Sequence, residues 1–437
     1  MKRQPKITVG IMDHQTEVNG RLDGNFLCDG FGPVSGPFSA KVEAGVIALT
    51  DGAHREIFRS PSIRLKAKES STLFLHNVTI GKCFHWERKE DQIFQGDLIL
   101  QQRNSGTITV INEIPMEDYL KSVISSEMNP SAPVEFLKAH TILSRSWLLA
   151  GLHRKNKMDK ASLPVQKIIT KEEEVIRWYD REDHDLFDVC ADDHCQRYQG
   201  ITKIVSKRAE EAVRETHGVV ITYQDEICDA RYFKACGGIT EDFSTAWDDK
   251  QVPYLTSISD ALVLHRPIRT EEEASAWIFS EPVAYCNINE VGFLEKILPN
   301  FDYETKTFFR WRVEYSRDEL QEILQEKTGF DFGTLQEIVP LHRGPSGRIS
   351  RLKIVGSKRS MVVGKELEIR RWLSRSHLYS SAFIVTLEAD RFILNGAGWG
   401  HGVGLCQIGA AVMAAKGFLA EKILKHYFKC IKIQKIY

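Results

Sequence analysis

Over residues 1–112 apolar and polar side chains alternate in short runs, as in Ser62–Lys66, Thr72–Ile80, Asp97–Gln101 and Thr107–Asn112. A period of two puts alternate side chains on opposite faces of a strand, so these runs predict β-structure. Asp23-Gly24, Gly32-Pro33, Gly36-Pro37 and Asp51-Gly52 read as the turns between strands. After Pro115 the period lengthens. Tyr119, Leu120, Val123 and Ile124 fall at helical spacing behind the acidic pair Glu117 and Asp118, which predicts a helix over Glu117–Ser125. Asn129, Pro130 and Pro133 interrupt it, and a longer helix is expected to run to about His153 with Phe136, His140, Leu143 and Trp147 on one face. Glu127 is thereby placed at a helix end or in the loop between helices. Strand-like pieces return over Val219–Ser257, helical segments mix with loops over Glu271–Thr328, and alternation reappears at Arg348–Val355 and Ala382–Leu387. A final helix is predicted to begin within Leu405–Ala415, after a glycine-rich turn. The expected fold class is α+β: a β-rich N-terminal domain over 1–106, then a mixed α/β catalytic domain over 107–437, with a candidate inserted or variable segment near 261–335.

Composition narrows the function classes. A chain of 437 residues exceeds the roughly 250–300 at which one core stops growing, so at least two domains are expected. Lys and Arg number 58 against 59 Asp and Glu, so the net charge of −1 provides no global field for nucleic acid or anionic membrane. A neutral glycan polymer is compatible with it. No apolar run approaches the roughly 18 residues of a membrane span, and the one apolar run near the start, Ile7–Met12, is too short for the core of a signal peptide. Nine cysteines, an odd number scattered along the chain, do not read as a disulfide framework.

Two constellations carry candidate chemistry. His184, Cys190, His194 and Cys195 offer four soft or borderline donors within twelve residues, for which zinc is the natural ion. The adjacency of His194 and Cys195 predicts strain in a tetrahedral arrangement, and two buried thiols with two polar histidines is the plainer alternative. Four protein ligands would close the site and make a zinc structural. The glycine-rich stretch Gly396–Gly404 lacks the Gly-Lys-Ser/Thr ending of a phosphate loop and the strand-to-helix setting of a dinucleotide fingerprint, so no nucleotide cofactor is expected. Its glycines would let the backbone turn sharply and set Trp399 and His401 at a surface, the indole suited to stacking on a sugar face or simply to filling core.

Five blocks together resemble the stage II sporulation protein D family, which includes amidase enhancers. They read IPMEDYLKSVISSEMNP over Ile114–Pro130, EFLKAHTILSRSW over Glu135–Trp147, DVCADDHCQRYQG over Asp188–Gly200, ACGGIT over Ala235–Thr240 and GWGHGVGLCQIGA over Gly398–Ala410. The resemblance runs from about Thr107 to the C-terminus. His140, Cys406 and Ile408 stand where the family commonly has glutamine, serine and tyrosine.

The resemblance implies a peptidoglycan lytic transglycosylase that cleaves MurNAc-GlcNAc strands, with Glu127 as the single acid/base. Such a carboxyl must be protonated near neutral pH, which asks for an apolar, partly desolvated setting; Met128 and Ile124 beside Glu127 permit one. Arg145, Ser146, Trp399, His401 and Gln407 are the implied substrate-binding residues, gathered with Glu127 in one groove. For Arg145 a structural ion pair, and for Ser146 a local backbone bond, are the alternatives. Some family members bind zinc at positions like the His/Cys cluster. The implied partners are glycan strands and a wall amidase or other wall hydrolase, and the implied place is the cell envelope, extracytoplasmic or periplasmic. Two other classes fit the same residues: a non-catalytic wall-binding protein that enhances an amidase, and a zinc amidase using the His/Cys cluster.

Overall fold

The computed structural model describes residues 3–68, 70–82, 87–158, 168–179, 184–204, 206–288, 290–299 and 307–437. They form two compact units, one of Met1–Ser131, Asp183–Val219 and Lys435–Tyr437, the other of Ala132–Glu182 and Val220–Gln434. Along the chain, ten strands come first: β1 (Lys6–Gln15), β2 (Glu17–Cys28), β3 (Gly32–Glu43), β4 (Val46–Asp51), β5 (Glu56–Ser60), β6 (Ser62–Ala67), β7 (Thr72–Ile80), β8 (Arg88–Gln95), β9 (Asp97–Gln102) and β10 (Ile108–Pro115). Helices α1 (Met116–Glu127) and α2 (Val134–Met158) follow, then β11 (Ile168–Lys171), β12 (Glu174–Arg177), β13 (Val189–Cys190), α3 (Lys207–Glu215), β14 (Val219–Tyr223), β15 (Glu226–Ile227), β16 (Tyr232–Phe233) and α4 (Phe243–Ala246). The remainder is α5 (Glu271–Ile278), α6 (Val291–Ile297), β17 (Arg310–Ser316), α7 (Arg317–Thr328), β18 (Leu335–Arg343), β19 (Ile349–Gly356), β20 (Ser360–Gly364), α8 (Glu366–Trp372), β21 (Phe383–Glu388), β22 (Arg391–Ala397), β23 (Leu405–Cys406), α9 (Gln407–Ala415), α10 (Ala420–Tyr427) and β24 (Lys432–Lys435). The α+β class is as expected. Among the described residues no helix is long and apolar enough to cross a membrane.

The first unit is built on one large sheet in the order β13-β1-β10-β9-β6-β2-β3-β4-β5, with β7 pairing β2 and β8. In β2 the alternation holds, with Val18, Gly20 and Leu22 buried between exposed Glu17, Asn19 and Arg21. β10 lies between β1 and β9 and is buried on both faces, so that even its Thr109 and Asn112 are withdrawn from solvent. Two expected turns prove to be internal to strands. Asp23-Gly24 sits where the β2–β3 register shifts between Leu22 and Phe26, and Gly24 has φ of +101°, so the pair makes a bulge and the strand continues. Gly36-Pro37 lies inside β3, where Pro37 faces Arg21 just beyond the first β3–β4 pair, Phe38 and Asp51, so its missing N–H interrupts no pairing to β4.

The second unit packs a five-stranded sheet, β11-β12-β20-β19-β18, and a three-stranded one, β17-β22-β21, with α7 and α8 around Trp311, Leu320, Leu324, Leu352, Ile354, Trp372, Phe383 and Phe392. Strand β17 lies in a stretch whose sequence reads as helices and loops. Its Arg310, Arg312 and Glu314 face outward or lie half-buried, and among the described residues it pairs only β22, as an edge strand with a charged face does. The helix beginning in Leu405–Ala415 is α9, but it is not the last: Gly417, at φ +87°, breaks it and α10 follows.

The glycine-rich stretch is laced to its neighbours by backbone bonds. Trp399 and Ala235 exchange N–H to O bonds of 2.7 and 3.2 Å, Glu241 N–H reaches Gly402 O at 2.7 Å, and Leu405 N–H reaches Arg231 O at 3.1 Å. Gly404, at φ +87°, approaches so closely that a Cβ would lie 2.2 Å from Arg231 O. The left-handed conformation alone costs an L-residue about 1–2 kcal/mol, and the clash adds to it. Gly404→Ala is therefore expected to lower stability by more than ~1–2 kcal/mol, read as a drop in the denaturant or thermal midpoint of the second unit.

Candidate active site and metal centre

Helix α1 follows β10 directly. Pro115 stands at its N-cap and Glu117 and Asp118 in its first turn, and Tyr119, Leu120, Val123 and Ile124 bury one side of it in the first unit. Glu127 is its last residue and is only 8% exposed, so the carboxyl is withdrawn from solvent at a fixed place. Its Oε1 accepts the backbone N–H of Arg197 at 3.0 Å. Residues 196–199 run along the same helix: the Tyr119 hydroxyl donates to Gln196 Oε1 at 3.3 Å, and Gln199 N–H donates to Ser122 Oγ at 3.1 Å. Tyr198 stacks on Tyr119 with ring centroids 5.1 Å apart, and its hydroxyl donates to Asn112 Oδ1 at 2.6 Å.

Polar atoms without partners collect on these two segments. Ser125 Oγ, Ser126 Oγ, Asp193 Oδ2 and Gln199 Oε1 are buried with no hydrogen-bond partner among the described residues. Buried polar atoms are rarely left so, and these four lie on α1 or on residues 193–199 beside it. Burial pushes the Asp193 carboxyl up to about 7, opposed by Arg197 and reinforced by the charge of Glu127. Sequence reasoning missed Gln196, Arg197, Tyr198 and Gln199 as groups acting on Glu127, although they stand in one of the quoted blocks, because their effect comes through backbone and packing.

The His/Cys cluster lies immediately upstream on the same segment. β13 pairs parallel to β1, Val9 opposite Val189 and Gly10 opposite Cys190. Asp188 N–H and Ala191 N–H donate to Thr8 O and Gly10 O, each at 3.0 Å. Cys190 is therefore set by the sheet. The Phe187 ring lies on Gly10, where a Cβ would come within 2.5 Å of it, and packs against His184 at 4.5 Å between centroids. His184 Nε2 is 3.3 Å from Cys195 Sγ, His194 Nδ1 is 3.4 Å from Cys195 Sγ and 3.8 Å from Cys190 Sγ, and all four donor atoms lie within 4.8 Å of one another. Bonds of roughly 2.0–2.3 Å to a tetrahedral zinc separate ligand atoms by roughly 3.3–3.8 Å, so the donor set fits such an ion. The neighbours His194 and Cys195 converge despite their adjacency. Hydrogen bonding with Cys195, joined by His184 and His194, holds the Cys190 thiol far below the ordinary thiol range against the effect of burial.

Arg145, Ser146, Trp399, His401 and Gln407 all belong to the second unit, and Glu127 to the first. Arg145 is fully buried on α2. Ser146, also fully buried, donates to Ile142 O at 2.6 Å and accepts Ile221 N–H at 2.9 Å, so its hydroxyl ties α2 to β14. Gln407 Nε2 lies 3.0 Å from Nε2 of His140, whose pKa burial lowers to about 3, keeping that ring neutral. Trp399 is half-buried and stacks on Tyr379, centroids 4.2 Å apart, with Phe308 at 5.0 Å. His401 packs edge-on against Trp247 and Phe233, its Nδ1 accepts Val403 N–H at 3.1 Å, and burial keeps it neutral by pushing its pKa well down.

The fold and site define an α+β protein with a buried, helix-borne carboxyl beside a two-cysteine, two-histidine cluster. Comparison with known proteins agrees with the residues that define it. The family model described as Stage II sporulation protein matches residues 104–223, which include Glu127 and all four cluster residues, and one described as Domain of unknown function (DUF8618) matches 241–404. Stage II sporulation protein D of Bacillus amyloliquefaciens is 24% identical over 326 residues, covering 74% of this chain and 76% of that one. The protein of the same name from Bacillus subtilis (strain 168) is 23% identical over 329 residues, with the same two shares. The Amidase enhancer of Bacillus subtilis (strain 168) is 23% identical over 330 residues, covering 71% of this chain and 39% of that protein. Residues 104–223 thus carry a Stage II sporulation protein domain, and the chain is similar over most of its length to stage II sporulation protein D and to the amidase enhancer.

Anchoring of residues 196–199 can be tested apart from any chemistry. Tyr198→Phe keeps the stack on Tyr119 but strips a buried donor from Asn112 Oδ1, so a loss of about 1–3 kcal/mol is expected in chemical denaturation of the first unit. An unchanged midpoint would mean that this bond does not hold the segment.

Proposed function

We propose that the chain is a peptidoglycan lytic transglycosylase acting outside the cytoplasm in a sporulation- or wall-related process, with Glu127 as its acid/base. The observation that supports this reading most is the Glu127 carboxyl, buried at the end of α1 and oriented by Arg197 N–H, with partnerless polar atoms of Ser125, Ser126 and Gln199 on the same two segments. Hydrolysing glycosidases use two carboxylates, one of them to activate water or attack. In the proposed reaction one suffices. Glu127 gives its proton to the glycosidic oxygen as the C1–O bond breaks. The carboxylate then takes the proton of the muramic C6 hydroxyl, whose oxygen closes on C1 of the same sugar. Water is not consumed, the strand ends in a 1,6-anhydro sugar, and Glu127 is protonated again.

His184, Cys190, His194 and Cys195 would hold one zinc ion. With four protein donors and no open position its chemistry would be structural, fixing the loop that continues into Arg197. Glycan strands are the proposed substrate, and a wall amidase a proposed partner.

A second reading, an amidase enhancer that binds wall without cutting it, is favoured by the name of the relative matched over 71% of this chain. Glu127→Gln separates the two. It keeps size and the bond from Arg197 but removes the transferable proton, so strand cleavage should fall by at least ~10²-fold with the melting temperature unchanged. Mass spectrometry of digested murein should find anhydro ends with the wild type and none with the variant. Wild-type protein that yields no such ends would leave the enhancer, and a Gln variant that yields them equally would remove Glu127 as the acid/base. For the metal, Cys190→Ser should lower bound zinc by one per chain and reduce the thermal midpoint of the first unit.

A further inference from the structure

A different cluster lies buried in the second unit. Cys236 follows β16, Asp260 follows the bridge between Ile239 and Ser259, Cys286 lies between α5 and α6, and Cys406 ends β23. No more than 2% of any of the four is exposed, and their sulfur and carboxylate ligand atoms all lie within 4.8 Å of one another. Cys236 Sγ and Cys286 Sγ stand 3.3 Å apart as free thiols. We propose that Cys236, Asp260, Cys286 and Cys406 bind one thiophilic divalent cation, zinc by its ligand chemistry, as a closed structural site that pins four distant segments of the second unit.

The surroundings are those of a metal–thiolate centre. Three backbone N–H groups are aimed at sulfur: Cys236 N–H and Gly409 N–H to Cys406 Sγ at 3.3 and 3.4 Å, and Gly238 N–H to Cys236 Sγ at 3.3 Å. A thiol is a weak acceptor and gains little from them, whereas a thiolate is stabilised. The carboxylate is oriented as metal-bound carboxylates are, with Oδ2 accepting Cys286 N–H at 2.9 Å and Oδ1 accepting the Tyr427 hydroxyl at 2.6 Å. Gly409 closes against it so tightly that a Cβ would lie 2.4 Å from Oδ1. Two guanidinium groups sit at the rim, Arg310 donating to Gly237 O at 3.0 Å and Arg348 to Cys236 O at 3.2 Å, cations that offset the surplus negative charge of four anionic ligands around one dication. Three sulfurs and one oxygen complete a tetrahedron and leave no position for water or substrate, which makes the role structural.

The test is a metal count on the full chain, purified with a thiol reductant and loaded with zinc alone. Two zinc ions per chain are expected in the wild type, one in the Cys190→Ser/Cys195→Ser double variant, and one fewer than the parent in Cys286→Ser or Asp260→Ala. The double variant loaded with cobalt should show the intense thiolate-to-metal band and visible spectrum of a tetrahedral sulfur-rich site, and this reading decides should Cys286→Ser fail to fold. A double variant that binds neither metal, or a folded Cys286→Ser that binds as much as its parent, overturns the proposal. So does a Cys236–Cys286 disulfide that persists under the reductant, seen as a linked peptide. One zinc in the wild type, retained in the double variant and lost in Cys286→Ser, would keep this site and remove the His/Cys one.

Discussion

The geometry around Glu127 depends on the parallel pairing of a two-residue strand. β13 fixes only Val189 and Cys190 against β1, but Cys190 and the chain on either side of that pair carry all four cluster donors and then residues 196–199. The order of cause runs from sheet to cluster to loop to carboxyl. Asp188 and Ala191 bond to β1, the donors converge around Cys190 and Cys195, and two residues past Cys195 the chain lies on α1, Arg197 N–H bonding Glu127 and Gln199 N–H bonding Ser122. A carboxyl at a helix end would otherwise swing through several rotamers, and holding it costs side-chain entropy of order 1–2 kcal/mol. The N–H of Arg197 and the burial of α1 meet that cost before any ligand arrives. This is the preorganisation that a proton transfer at one fixed atom requires.

The second unit solves a different problem with different means. Its glycine-rich stretch makes no long strand, yet it bonds to residues 231, 235 and 241 through backbone alone. Such close approach needs residues without a Cβ, and Arg348 then fills the space left, its side chain fully buried and bonded to Gly400 O, Cys236 O and Ser346 Oγ. Removing that guanidinium would strand several carbonyl groups at once, which is why a buried arginine of this kind acts as a keystone for loops and not as a solvent-facing charge.

What the sequence made legible follows the range of the interactions. Strands with plain alternation, the start of α1 behind Pro115, and the length of α2 are local properties, and each is present in the structure. Glu127 at a helix end and the His/Cys donors within twelve residues were equally legible, being close together in the chain. The bulge at Gly24, the internal Pro37 and the edge strand β17 were not, because whether a glycine turns a chain or bulges a strand depends on the partner strand. The role of Arg197 was invisible for a stronger reason: it acts through its N–H, which every residue but proline possesses.

The buried thiols show the same limit from the other side. Cys236 and Cys406 are separated by 170 residues and Cys236 and Cys286 by 50, so no spacing rule connects them. In a chain with an odd number of cysteines, each one taken singly reads as a small buried hydrophobe, and a buried carboxylate such as Asp260 reads as an anomaly. Brought together, each explains the other. Desolvating one carboxylate with no counter-cation is costly, and clustering three thiols around it gains little by packing alone, since larger apolar side chains would bury more surface. A dication reverses both terms, because it supplies the missing charge and binds only the folded arrangement, adding its binding free energy to the stability of the unit. On that account these positions are cysteine and aspartate because together they hold an ion, and the loops between β16, α5 and β23 can remain irregular because their ends are fixed at one point.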